Sequence, residues 1–123
     1  MKLEPRDAEA FLQDIVDWGQ RAQTHLRGVS EDQFLTDSLL QDEVTKCVEN
    51  IGEAASRATN ADPDIMARHP EFEFRAAYAM RNALAHGYYT VKPDVLWSTV
   101  HDSLPAFMGV AAAILNSRKT TKP

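Results

Sequence analysis

From Leu40 to Ala58 apolar and small residues recur at intervals of three and four: Leu40, Val44, Cys47, Val48, Ile51, Ala54, Ala55 and Ala58. That spacing stacks them along one face of an α-helix, since each residue turns about 100° around the axis. It predicts a long helix that begins near Asp37 or Ser38 and ends near Thr59. The small residues at its far end, with Gly52 among them, leave room for a second helix to come close. Strand-like alternation of apolar and polar residues is essentially absent from the sequence. The chain is therefore read as all-α.

The same periodicity appears on either side. Ala8, Phe11, Leu12, Ile15, Ala22 and Leu26, with Gly19 on the stripe, predict a helix from Pro5 to about Leu26, which Gly28 breaks. Ser30 followed by Gln33 is a capping-box pattern and predicts a short helical turn over Glu31–Leu35. Asn60-Ala61-Asp62-Pro63 reads as a stop and a restart, with Asp62 capping a short helix from Pro63 to Arg68. A third long helix is expected from about Glu71 to His86, carrying Phe74, Ala77, Tyr78, Leu84 and Ala85. Lys92-Pro93-Asp94 opens the last one, with Val95, Leu96, Val100, Leu104, Phe107, Met108, Ala111, Ile114 and Leu115 on it. Pro105 should kink that helix, because it has no N–H to give the turn behind it. The closing SRKTTKP is polar and reads as frayed. The expected architecture is an up-and-down bundle of four long helices plus short helical turns. It forms a single domain over residues 1–118, followed by a polar tail at 119–123.

Composition bounds the function. At 123 residues, with 44% hydrophobic and 25% charged residues, the chain suits one domain with a core that needs no disulfides. No apolar run approaches the 18 or so residues of a membrane span, and MKLEPRDAEA lacks the apolar centre of a signal peptide. With a single cysteine, the expected compartment is the cytoplasm. Cys47 falls on the apolar stripe and reads as a small buried hydrophobe. The net charge of −5 argues against a broad electrostatic grip on nucleic acid. Any contact with RNA should be local, made by a few arginines in a groove. An acidic body also suits a basic partner surface.

One stretch carries polar residues that packing does not require. In YAMRNALAHGYYTV, residues 78–91, Arg81, Asn82 and His86 stand on an Ala/Leu/Met background. Asn82 and His86, four apart, share a helix face, and Arg81 lies at its edge. Gly87 is suited to end the helix, which leaves His86 in the last turn, where the negative dipole end favours the imidazolium. A guanidinium and an imidazole on one rigid element can grip and cleave a phosphodiester. Read blandly, the same residues are a helix cap and a surface charge.

The segment MRNALAHGYYTV resembles the signature of the HEPN superfamily, in its HepT-like branch, with Arg81, Asn82, His86 and Tyr88 at the motif positions. ENIGEAASRA at 49–58, HPEF at 69–72 and LWSTVHDSLPAF at 96–107 are similar to further family segments. The likeness runs in order from about Asp7 to Leu115. Where many relatives open the third helix with Pro-Trp, this chain has Phe72-Glu73-Phe74, which bears on the helix start rather than on the site. The resemblance implies a dimerising helical bundle that acts as a metal-independent ribonuclease toxin without a cofactor. Its implied partner is a small antitoxin of nucleotidyltransferase fold (MNT), which in this branch can transfer AMP to the motif tyrosine, here Tyr88, with Tyr89 beside it.

That chemistry is physically coherent. The substrate's 2′-hydroxyl is the nucleophile, one group takes its proton, another protonates the leaving 5′-oxygen, and a cation steadies the phosphorane. The motif offers one well-placed imidazole, so a two-fold dimer that pairs two copies of Arg81 and His86 would complete the set. Asn82 would bind phosphate or orient the imidazole, and Tyr88 would line the cleft or stack on a base. Elsewhere, His25, His69, His86 and His101 are scattered without metal-ligand spacing, and His101-Asp102 reads as a solvated pair. Glu53, four residues after Glu49, interrupts a run of apolar and small residues. It is either a solvated charge or a group that orients Arg81 or Arg75 across the bundle. The alternative function is a non-catalytic nucleotide- or phosphate-binding or scaffolding subunit beside a nucleotidyltransferase.

Overall fold

The computed structural model describes residues 7–70, Ala77, Arg81 and 92–121, and among them every regular element is helical. In chain order these are α1 (Ala8–His25), α2 (Glu31–Leu35), α3 (Ser38–Ala61), α4 (Ile65–Arg68), α5 (Pro93–Ser98), a π-helical turn (Thr99–Ser103) and α6 (Leu104–Thr121). Ala77 and Arg81 are both helical, inside the span expected for the third long helix. The rest of that span lies outside the described residues, as does the Phe72-Glu73-Phe74 departure.

Local chemistry sets most of the boundaries. The Asp7 side chain accepts the Ala10 N–H at 3.0 Å and starts α1, and Asp37 accepts the Leu40 N–H at 3.1 Å and starts α3. The capping box forms as predicted: Ser30 Oγ accepts from Gln33 N at 3.1 Å, and Gln33 Oε1 accepts from Ser30 N at 2.9 Å. Gly28 takes a φ of 75°, a left-handed conformation that favours glycine, and turns the chain between α1 and α2.

The long helices pack through the stripes seen in the sequence. α3 lies along α1, and α1 also contacts α6. Val44, Cys47, Val48, Ile51, Ala54, Ala55 and Ala58 are all buried, while Leu40 is partly buried against the same core. They meet Ala8, Phe11, Leu12, Ile15 and Ala22 of α1 and Ala111, Ile114 and Leu115 of the last helix. Each large aliphatic side chain withdrawn from water here contributes roughly 1.5–3 kcal/mol. Burial pushes the Cys47 thiol above its ordinary pKa, with Glu43 adding to the effect and Arg21 opposing it, so the sulfur stays protonated and inert. Phe34 of α2 is fully buried, and its ring centroid lies 5.5 Å from that of Trp97.

Three expectations need correction. Pro105 does not act alone on a regular helix. The chain widens into the π turn just before it, where Leu104 N donates to Thr99 O. Side chains of the turn reach back to carbonyls of α5: Thr99 Oγ1 donates to Val95 O at 2.8 Å, and His101 Nδ1 lies 2.9 Å from Trp97 O. His101 is exposed as expected, yet its ring is stacked on Trp97 at 3.9 Å.

The second correction concerns Asp62. It does not cap a helix beginning at Pro63. The short helix starts at Ile65, and the Asp62 carboxylate, besides accepting the Asp64 backbone N–H, takes Arg118 at 2.6 Å and Arg68. Third, the end of the chain is not frayed from Ser117. α6 continues to Thr121, because Arg118 is tied both to Asp62 and to Glu9 of α1, at 3.5 Å. This ion-pair cluster joins the start of α1, the end of α3, α4 and the last turns of α6.

The cluster makes stability depend on pH. Burial acts to raise the Asp62 pKa, but the Arg118 hydrogen bond, the charges of Arg68 and Arg118 and the Asp64 backbone N–H outweigh it and hold the carboxyl below its ordinary value. A lowered folded-state pKa contributes stability that is complete above ~pH 5 and is lost as pH falls through that lowered value. Asp62→Asn should cost about 1 kcal/mol at pH 7, a fall in Tm of roughly 4 °C. Thermal melts should show that gap closing as the pH falls through the lowered Asp62 value. A gap that persists unchanged in acid would remove the ionic explanation.

Candidate active site

The site is built where the helical segment holding Ala77 and Arg81 crosses α3 at Gly52. A Cβ on Gly52 would sit 2.6 Å from the Ala77 carbonyl oxygen and would overlap Arg81 Cβ. Only a residue without a side chain permits this approach, so the backbone at Arg81 rests almost directly on α3. Residue 53, next along α3, then faces the arginine from the side. Arg81 Nε lies 3.2 Å from Glu53 Oε2, and the two side chains are 35% and 36% exposed. The pair is about a third exposed, so it orients the guanidinium while leaving it accessible.

Glu53 has a second partner. Its Oε1 accepts from Arg57 Nε at 2.9 Å, one helical turn further along α3. One carboxylate thus holds two guanidiniums, one from its own helix and one from the neighbouring segment. Of the two arginines considered in the sequence as partners for Glu53, the structure brings Arg81 to it; Arg75 lies outside the described residues. Arg57 was missed. Its four-residue spacing from Glu53 is visible in the sequence, but only the fold reveals that it shares the carboxylate with Arg81.

Asn82, His86 and Tyr88 lie outside the described residues. Glu49 and Asn50, one turn before Glu53, are partly buried on the same helix. Among the described residues no three His, Cys, Asp or Glu side chains come together as a metal site, and no helix is long and apolar enough to cross a membrane.

A helical bundle in which one helix presents an arginine, seated on a glutamate of its neighbour, just before an Asn…His-Gly-Tyr run defines the class: an α-helical HEPN-type domain. The chain belongs to the ribonuclease HepT-like family, whose model matches residues 7–114. It is 33% identical over 104 residues to the "Probable ribonuclease HepT" of Thermococcus cleftensis, covering 85% of this chain and 92% of that one. Two proteins of Methanocaldococcus jannaschii, each named "Putative RNase", are 28% identical over 103 residues. These alignments cover 84% of this chain and 83% and 86% of the relatives. No solved structure gives a significant match.

Proposed function

We propose that this chain is the toxin of a type II toxin–antitoxin pair, a homodimeric ribonuclease that cuts RNA without a metal ion through Arg81 and His86. The observation that carries this reading is the Glu53–Arg81 pair. It fixes the first residue of the Arg81…His86 signature in a chain that belongs to a family of ribonucleases. The carboxylate supplies what a cation for phosphate needs, a set direction without burial.

In this mechanism Arg81 binds the scissile phosphate and stabilises the charge that builds on it. His86 takes the proton of the 2′-hydroxyl or returns one to the leaving 5′-oxygen, and the second His86 of a two-fold dimer does the other. The new bond joins the 2′-oxygen to phosphorus as the bond to the 5′-oxygen breaks, leaving a 2′,3′-cyclic phosphate. Asn82 orients phosphate or imidazole, and Tyr88 lines the cleft. The partners are an antitoxin of nucleotidyltransferase fold and RNA, in the cytoplasm.

Purified chain incubated with single-stranded RNA in EDTA should cut it, and His86→Ala should lose at least 10²-fold in rate. Binding of RNA or nucleotide with no cleavage would replace this reading with that of a phosphate-binding subunit. For Tyr88, coexpression with an adjacent nucleotidyltransferase should add the mass of AMP, absent from Tyr88→Phe. A bulky anion there would compete with RNA for Arg81. Neutralisation of toxicity without that increment would mean that the partner acts by covering the site.

A further inference from the structure

The charge balance around Glu53 is unusual for this protein. The chain carries a net −5, yet Arg57, Arg81 and Glu53 form a local group of net charge +1. Both arginines engage the shared carboxylate through Nε, at 2.9 and 3.2 Å. The width of one carboxylate and two hydrogen bonds holds the two Nε atoms within a distance on the order of 8 Å. Arg57 is the more open of the two, its side chain 58% exposed against 35% for Arg81. A guanidinium has five N–H donors in a planar fork. Arg57 engages Glu53 through Nε alone, so that carboxylate does not use the outer donors of its fork. An isolated exposed Glu–Arg pair one turn apart on a helix stabilises it only slightly. Stabilising α3 is thus a weak reason for placing a second cation here.

We propose that Arg57 is a second phosphate-binding residue of the cleft, gripping the phosphate next to the one held by Arg81, with Glu53 setting the spacing of the two guanidiniums. This rests on the reading of Arg81 as the cation at the scissile phosphate. The ligand it implies is a single-stranded RNA with at least two consecutive phosphates. Arg57 contributes grip and register on the strand, and no proton or bond change passes through it.

The test compares wild type, Arg57→Ala and Arg57→Lys on an oligoribonucleotide that wild type cuts, and on the dinucleoside monophosphate spanning the cut. On the oligonucleotide, Arg57→Ala should raise KM about tenfold with kcat unchanged, and Arg57→Lys should recover most of the loss. The plot of log affinity against log salt should flatten by about 0.7, the value for one phosphate contact on a single strand. On the dinucleoside, which has one phosphate, kcat/KM should match wild type. Equal KM and salt slope in Arg57→Ala would overturn the proposal and leave cleavage through Arg81 intact. A fall in kcat on both substrates would also overturn it, by showing that Arg57 acts only through Glu53. Should wild type cut no RNA, the parent reading fails by itself. Binding of the 2′-deoxy oligonucleotide then decides the matter for Arg57: weaker binding with a flatter salt slope in Arg57→Ala supports it, and unchanged or undetectable binding removes it.

Discussion

Gly52→Val, at a buried position of α3, should destabilise the fold by about 3 kcal/mol and abolish RNA cleavage with it. The reason is geometric. The atoms that a new Cβ would meet are the Ala77 carbonyl oxygen, at 2.6 Å, and the first carbon of the Arg81 side chain. Backbone and Cβ atoms cannot swing aside as the tip of a long side chain can, so the whole crossing segment must move outward. Overpacking of this kind costs about 1–3 kcal/mol, and the branched valine stands at the upper end. For a domain of this size that is a fall in Tm of roughly 12 °C. Alanine is the milder probe, because its helix propensity recovers close to 1 kcal/mol over glycine. Thermal denaturation measures the effect directly. A Gly52→Val protein that melts with wild type would show that the two helices do not meet at this residue.

The second large effect falls on chemistry rather than stability. Arg81→Ala should lower kcat/KM for RNA by about 10²–10³-fold, the scale of losing one electrostatic stabiliser of a developing oxyanion. The melting temperature should change by only a degree or two, since the pair it breaks is about a third exposed. Glu53→Gln provides the graded control. The amide still accepts a hydrogen bond but no longer carries the charge that seats both guanidiniums, so a loss of about tenfold is expected, with Arg81 still present. Full activity in Arg81→Ala, assayed in EDTA beside His86→Ala, would exclude the arginine from the reaction.

How much of this was legible in the sequence follows from the range of each interaction. The α3 stripe was readable because helical spacing alone decides which face is apolar, and seven of its eight residues are buried, from Val44 to Ala58. The Ser30–Gln33 box was readable because both of its bonds close within one turn. Asp62 was misread for the opposite reason. As a local cap it had an apt position before Pro63, and its carboxylate does accept the Asp64 N–H, but its partner Arg118 is 56 residues away and nothing in the local sequence announces that ion pair. The same contact explains why the final residues stay helical where their polarity suggested fraying. Pro105 signalled a disturbance in the last helix without its form. At the widened turn Thr99 and His101 reach back to the Val95 and Trp97 carbonyls, contacts that the proline alone does not announce.

The candidate site divides along the same line. Glu53 drew attention as a charge in a run of small residues, with two arginines equally eligible as its partner, and the fold brings Arg81 to it. Gly52 was seen as room for a neighbour, and the neighbour is the backbone that carries Arg81. Arg57 was not singled out in the sequence, and the structure shows one carboxylate serving both cations.

The π turn at Thr99–Ser103 has a bearing on the distant end of the molecule. A π turn accommodates one more residue than an α turn over the same rise, so it acts as a phase shifter for everything downstream. Were the turn α-helical instead, α6 would be rotated by about 100° about its axis. Arg118 would swing off the side that meets Asp62 and Glu9, and the apolar residues Ala111, Ile114 and Leu115 would turn away from α1. The irregularity beside Pro105 is thus the angular setting by which the last helix seals the bundle.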